Sequence, residues 1–401
     1  MIDLRDEFPV LKQRIHGERL AYLDSAASTQ KPHAVIQAMD DCLRNDYSNI
    51  HRGVHLLSQR LTARYEAVRD KVASLLNARS SQEIVFTKGT TDGLNLLASS
   101  LGQLLLEPGD KVLVSAMEHH ANIVPWQMAC ERFGAELVVL PMNERGELLT
   151  EDFTALLDGV KIFSIVHVSN VLGTINDIAP LIAQAKAAGV VSIVDGAQAV
   201  AHLPVDVQAL GCDAYVFSAH KLYGPTGVGA LYATKDLLDA MPPYQGGGDM
   251  ILSVSFEKTQ YAPPPHKFEA GTPPIVEVIG MGAAIDWLTQ QDVTRLASHE
   301  EALCAQAEAA LDALPGVHII GRAAHKAAVT SFVLDEVHPH DAGTVFDQMG
   351  VAVRVGHHCA EPVMQFFGIP ATIRASFAAY NDERDVVQLI EAVKATQALF
   401  A

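Results

Sequence analysis

Between about residue 60 and residue 235 the chain alternates short, wholly apolar runs with longer stretches of helical period, and few folds accommodate that pattern. The apolar runs are "EIVF" (Glu83–Phe86), "KVLVSA" (Lys111–Ala116), "ELVVLP", "KIFSIVHV" (Lys161–Val168), "VVSIVD" (Val190–Asp195), "AYVFS" (Ala214–Ser218) and "GALYAT" (Gly229–Thr234). Between them lie "TDGLNLLASSL", "VPWQMACERFG" and "APLIAQAKAAG", the last closed by Gly189. Runs without polar alternation belong to strands covered on both faces. Strands interleaved with helices predict an α/β fold with a mainly parallel, doubly wound sheet.

Further along, the stretch from Pro242 to Pro274 is rich in glycine and proline and reads as an extended loop region. Beyond it, long helical patterns and short strands predict a smaller α+β domain. The expected division is a large domain over residues 15–285 and a small one formed by 1–14 with 286–401. With 401 residues, 49% of them apolar and 19% charged, the chain can bury a large core and has little room for disorder. A net charge of -18 argues against nucleic acid as a partner. No apolar run approaches the roughly 18 residues of a membrane span. The opening "MIDLRDEFPV" lacks a signal-peptide core, and the five cysteines are scattered with no CxxC. The expectation is a reduced, cytoplasmic protein without a membrane role.

Ligands of open parallel sheets bind beyond the carboxyl ends of the strands, and the distinctive polar residues fall there. Gly89, Thr90 and Thr91 follow the first strand; His119 and His120 follow "KVLVSA"; Asn170 follows "KIFSIVHV"; Asp195 ends its strand, with Gln198 after it; and Ser218, His220 and Lys221 follow "AYVF". A Gly-Thr-Thr turn at a helix start suits a phosphate, although such residues also cap ordinary helices. A strand-end acid is often no more than a cap. A buried lysine is costly unless paired or used, and it becomes a nucleophile able to form an imine. Such a lysine, a phosphate cradle and an acid able to protonate a ring nitrogen together make the binding kit for pyridoxal 5'-phosphate.

The segments "EHHANIVPW", "HVSNVLGT", "VDGAQAV", "SAHKLYGPTGVG", "FEAGTP" and "RVGHHCA" also carry a resemblance. They resemble the class V aminotransferase group of fold-type I pyridoxal-phosphate enzymes, and within it the SufS-type (group II) cysteine desulfurases, from "LAYLDSAASTQKP" to "RASFAAYN". The resemblance implies that Lys221 binds the cofactor covalently and later moves the Cα proton. Asp195 pairs with the pyridine nitrogen, Gln198 meets the ring oxygen, and His119 stacks on the ring and serves in acid–base steps. Thr90, Ser218 and His220 hold the phosphate, and Thr272 reaches the phosphate of a partner subunit. Asn170 serves both cofactor and substrate. Arg374 takes the substrate carboxylate, with Arg354 beside it.

Cys359, in "VRVGHHCAEP", reads on its own as a structural cysteine, a zinc ligand or a reactive thiol. Adjacent His-His-Cys spreads poorly around a tetrahedral ion, so no metal site is expected. The resemblance makes Cys359 the thiol that takes sulfur from L-cysteine, leaving alanine and a persulfide. It further implies a homodimer, a SufE-type acceptor protein, a role in iron–sulfur cluster assembly, and lyase activity on selenocysteine. The alternatives are another class V enzyme, such as an aminotransferase, or a sulfur-carrier scaffold without turnover. Two positions depart from the family's pattern: Pro274 ends "EAGTPP", and Glu361 follows "HHCA".

Overall fold

A computed structural model describes residues 4–401; the first three residues of the expected 1–14 segment lie outside the described residues. The central sheet has seven strands. Across the sheet they run Ile84–Thr87, Gly229–Ala233, Ala214–Ser218, Val191–Asp195, Val160–Val166, Lys111–Ser115 and Glu136–Leu140. All neighbours pair in parallel except Gly229–Ala233, which is antiparallel to the strands on both its sides.

The continuous apolar runs divide residue by residue between two cores, as a period of two requires. Val112, Val114, Ile162, Ile193 and Val216 face the helices Thr90–Leu105 and Val124–Phe133, with Leu97, Leu101 and Trp126 packed on them. Leu113, Phe163, Val194, Tyr215 and Phe217 face the other side, where Leu181, Ile182 and Ile285 cover them. Both faces are buried, which is why the strands carry no polar alternation.

The smaller unit is a four-stranded antiparallel sheet in the order Val317–Ile320, Val329–Leu334, Thr372–Ser376, Arg354–Gly356. The helices Val293–Asp312, Pro339–Gln348 and Glu383–Phe400 supply its core with Leu303, Phe346 and Leu389. We propose the two-domain division with its first boundary shared. Phe8 and Leu11 pack into the large core, whereas Ala21–Tyr22 pairs in parallel with Val351–Ala352 and Ala21 and Leu23 lie in the small core. The region from Pro242 to Pro274, expected as loop, contains an antiparallel hairpin of Ile251–Val254 with Thr259–Tyr261 and a 3-10 turn at His266–Phe268. The hairpin's side chains are mostly exposed, so no burial pattern advertised it.

Candidate active site

The carboxyl ends of the parallel strands open onto a cavity of about 220 Å³. Ten of the expected residues line it: Thr90, His119, Asn170, Asp195, Gln198, Ser218, His220, Lys221, Arg354 and Arg374. Ala26 and Ala27, from the turn after "YLDS", close one wall. The convergence follows from topology, because parallel strands put all their exits on one edge.

At one end the backbone forms a cradle. Gly89 caps the helix Thr90–Leu105 at φ 139°, a conformation closed to side chains, and an added Cβ would lie 3.1 Å from Ser218 Oγ. Gly229 is equally constrained, since a Cβ there would lie 2.3 Å from the Phe217 carbonyl oxygen. The Thr90 N–H donates to Ser218 Oγ (2.8 Å), which also bonds Thr90 Oγ1 (2.8 Å). The first N–H to close the helix is that of Gly93, onto the Gly89 carbonyl (3.0 Å). His220 Nδ1 is buried without a hydrogen-bond partner. Burial, with Lys221 and Lys31 nearby, pushes the His220 ring down to about 4, so it is neutral at physiological pH. Paired hydroxyls at a helix N-terminus and an unsatisfied ring nitrogen suit the phosphate of pyridoxal phosphate.

Lys221 ends a 3-10 turn, Ala219–Lys221, directly after its strand. The turn back toward the sheet is borne partly by Tyr223, at φ 60°, and not by the following glycines alone. Burial brings Lys221 down to about 8; Asp195 opposes that shift, while Arg374 and Arg354 add to it. Asp195 is buried, accepts the Ala197 N–H (2.9 Å), and is raised from the ordinary carboxylate range chiefly by burial. A strand-end carboxylate with one backbone donor, facing a cavity, suits a ring N–H. His119 Nδ1 accepts the Ala121 N–H (3.0 Å), which puts the proton of the neutral ring on Nε2. Burial and the nearby cations push His119 down to about 3. Gln198 spends one amide N–H on the Ala26 carbonyl (2.7 Å).

The far wall comes from the small sheet. Ile373 and Ala375 point into its core, so Arg374 between them points to the opposite face and into the cavity. Arg374 is 1% exposed. Its Nη1 donates to the Asn170 carbonyl (2.9 Å) and its Nη2 to Asp24 Oδ1 (3.0 Å), while Nε is buried without a partner. Burial lowers it to about 10, so it stays charged at physiological pH. An anchored guanidinium with an unspent N–H suits a carboxylate ligand. Asp24 is the residue that sequence reasoning missed. Its signal is an acid directly after the apolar "AYL", but its partner lies 350 residues away. Arg374→Lys is expected to raise KM for an amino-acid substrate about 10- to 100-fold, the worth of a charge-assisted bond, with kcat less affected. Steady-state kinetics of the purified variant checks this; an unchanged KM would move the carboxylate site elsewhere.

Cys359 and Thr272 do not line this cavity. Cys359 sits at its rim, half-buried, with Arg354 Nη2 3.5 Å from Sγ. Arg354 pairs directly across the sheet with Arg374, which joins the thiol to the carboxylate end of the pocket. The other four cysteines are buried. Thr272 is exposed in the loop before the helix Ile275–Thr289. Among the described residues no cluster of three or more His, Cys, Asp or Glu side chains is arranged to hold a metal ion. No helix among them is long and apolar enough to cross a membrane.

The fold and the lysine–acid–cradle arrangement define a pyridoxal-phosphate enzyme of the aminotransferase type. Residues 21–389 match the family described as "Aminotransferase class-V", and the chain belongs to that family, whose cofactor is pyridoxal phosphate. Among its relatives are a cysteine desulfurase of Cronobacter sakazakii, 51% identical over 96% of each chain, and one of an Enterobacter species, 50% identical over 98% of this chain and 97% of the relative. The solved structure of the Escherichia coli cysteine desulfurase CsdA, in its S-sulfonic acid form, superposes with a TM-score of 0.93 at 41% identity, covering 99% of this chain and 98% of that one. The apo cysteine desulfurase of Thermococcus onnurineus gives 0.94 at 36% identity, covering 98% of both.

Proposed function

We infer that the chain is a pyridoxal-phosphate-dependent cysteine desulfurase with Cys359 as its sulfur-accepting thiol. The observation that carries the reading is a single half-buried thiol beside Arg354, at the mouth of a pocket that already contains Lys221, Asp195 and Arg374. Transamination, the other common activity of this fold, has no use for such a thiol.

Each residue has a task that follows from its surroundings. Arg374 holds the substrate carboxylate, with Asn170 and Asp24 fixing the guanidinium. Ser218, Thr90 and His220 seat the phosphate, and Asp195 keeps the ring nitrogen protonated. When bound, the cofactor supplies an electron sink for the electrons released at the substrate Cα. Lys221 takes and returns the Cα proton, a task suited to an amine lowered to about 8. Cys359 Sγ attacks the substrate sulfur; an S–S bond forms, the Cβ–S bond breaks, and its electron pair stays with the carbon skeleton. In sum, one thiol and one cysteine give one persulfide and one alanine, with a thiol proton ending on the alanine carbon.

The reading extends to L-selenocysteine as a second substrate, because the same attack serves selenium. It extends also to a SufE-type acceptor that clears the persulfide for iron–sulfur cluster assembly, a cytoplasmic setting, and a homodimer in which Thr272 meets the partner's phosphate. The test is to supply cysteine or selenocysteine, with and without an acceptor, and measure alanine with sulfide or selenide. Alanine formed without sulfur on any cysteine would overturn the persulfide step.

A pH dependence follows from the lysine. Capture of the cofactor by the apoenzyme needs the neutral amine, and burial lowers Lys221 from 10.5 to about 8. The capture rate is therefore expected to climb as pH rises to about 8 and level off above it, instead of climbing toward 10.5. Stopped-flow absorbance across that range checks it. A rate still rising steeply above pH 9 would show an ordinary, solvated lysine.

A further inference from the structure

The loop bearing Cys359 holds an unusual backbone. His358 (φ 53°) and Cys359 (φ 56°) are consecutive side-chain-bearing residues in the left-handed region, and Gly356 before them is at φ 120°. Such a run persists only where neighbours over-determine it. Asn170 Nδ2 donates to the His358 carbonyl (2.8 Å), and the His358 ring bonds Thr372 Oγ1 (2.8 Å). The Ala360 N–H closes the turn onto the His357 carbonyl (2.9 Å), and two further restraints come from one residue. The His120 N–H donates to the Cys359 carbonyl (2.7 Å), and the Glu361 N–H donates to His120 Nε2 (3.0 Å). His120 thus holds the two successive peptides that follow the Cys359 Cα.

His120 is itself well rooted. It opens the turn His120–Asn122. Asn122 Nδ2 donates to the buried Glu118 carboxylate (2.7 Å), and Asn122 Oδ1 accepts from Ser164 Oγ (2.6 Å) and Trp126 Nε1 (2.9 Å). One residue earlier, His119 lines the cofactor cavity. The dipeptide therefore spans the two halves of the site, one ring in the cavity and the next on the sulfur loop.

We propose that His120 is a positioning residue for Cys359: its ring acceptor and main-chain N–H hold the left-handed loop so that Sγ stays beside Arg354 at the cavity mouth. The proposal rests on the reading of Cys359 as the sulfur-accepting thiol. It is tested on the holoenzyme with His120→Leu, which removes the acceptor, and His120→Gln, whose Oε1 can accept from the Glu361 N–H. Three quantities are read: kcat and KM for alanine release from cysteine, the visible spectrum of the bound cofactor, and the rate at which iodoacetamide alkylates Cys359, followed on its peptide by mass spectrometry.

For His120→Leu we expect kcat to fall about tenfold, the scale of a slightly misplaced reacting group, with KM within about twofold of the parent. The spectrum stays unchanged and the alkylation rate shifts by about threefold or more in either direction. His120→Gln returns kcat and alkylation most of the way. Parental kcat and alkylation in His120→Leu overturn the proposal. So does a glutamine variant that behaves like the leucine one, or a spectrum that changes as much as kcat. If Cys359→Ser turned over cysteine normally, the reading of Cys359 as the sulfur-accepting thiol would fail, and the alkylation rate alone would still decide the clamp.

Discussion

Cys359→Ser is expected to bind cofactor and cysteine normally yet lose alanine release by a factor on the order of 10³ or more, the scale seen when an enzyme loses its nucleophile. The loop should survive the change. Its restraints run through the Ala360 N–H on the His357 carbonyl, the Cys359 carbonyl, the Glu361 N–H and His358, and Sγ contributes only the 3.5 Å contact with Arg354. The chemistry should not survive, because a hydroxyl attacks sulfur poorly and cannot carry a persulfide. In the parent enzyme, one round with cysteine and no acceptor should leave an extra sulfur on the peptide "VGHHCAEPVMQF". Cys42, Cys130, Cys212 and Cys304 are buried, and burial raises each thiol above its ordinary range. Sulfur found on any of those four, or parental alanine release by the serine variant, would remove Cys359 from its role.

Lys221→Ala should have the other large effect, at the opposite end of the site. The visible band of the lysine-bound cofactor should vanish, and turnover should fall by a factor on the order of 10³ or more, because proton transfer at Cα and covalent capture both depend on this amine. Phosphate contacts at Thr90, Ser218 and His220 should still retain cofactor without a covalent link. The variant apoenzyme should melt no lower than the parent apoenzyme. Lys221 is a buried cation with Arg354 and Arg374 in its field, and Asp195, with a smaller contribution from Cys359, only partly compensates for its burial. Borohydride treatment followed by peptide mass analysis, with a melting curve, checks both parts. Cofactor fixed to another lysine would refute the assignment.

The two variants part the site into halves that differ in how legible they were. The half built by the parallel sheet could be read directly. Thr90, His119, Asn170, Asp195, Ser218 and Lys221 each follow an apolar run, and a parallel sheet must bring such positions to one edge. Period and burial decide that locally, so a few residues of context suffice. Arg374 and Arg354 lie in a second sheet and Cys359 in the loop that follows one of its strands, and their assignment rested on the resemblance to a family. No local pattern says that Arg374, on a small antiparallel strand, faces Asp195 across a cleft. The two units meet through contacts such as Asp24 with Arg374 and Asn170 with His358, far apart in sequence.

By itself, then, the sequence determined the doubly wound sheet, the edge at which ligands gather, and the lysine, acid and glycine-threonine turn along it. Each is fixed by side-chain period, strand direction and turn chemistry within a few residues. Tertiary structure alone decided three things. Asp24 orients the guanidinium of Arg374. Gly229–Ala233 runs against its neighbours. Cys359 adopts a left-handed backbone held by His120. The physical reason is common to all three. Each depends on pairing between groups brought together by packing over long chain separations, and a strained backbone such as that of Cys359 exists only while those partners hold it.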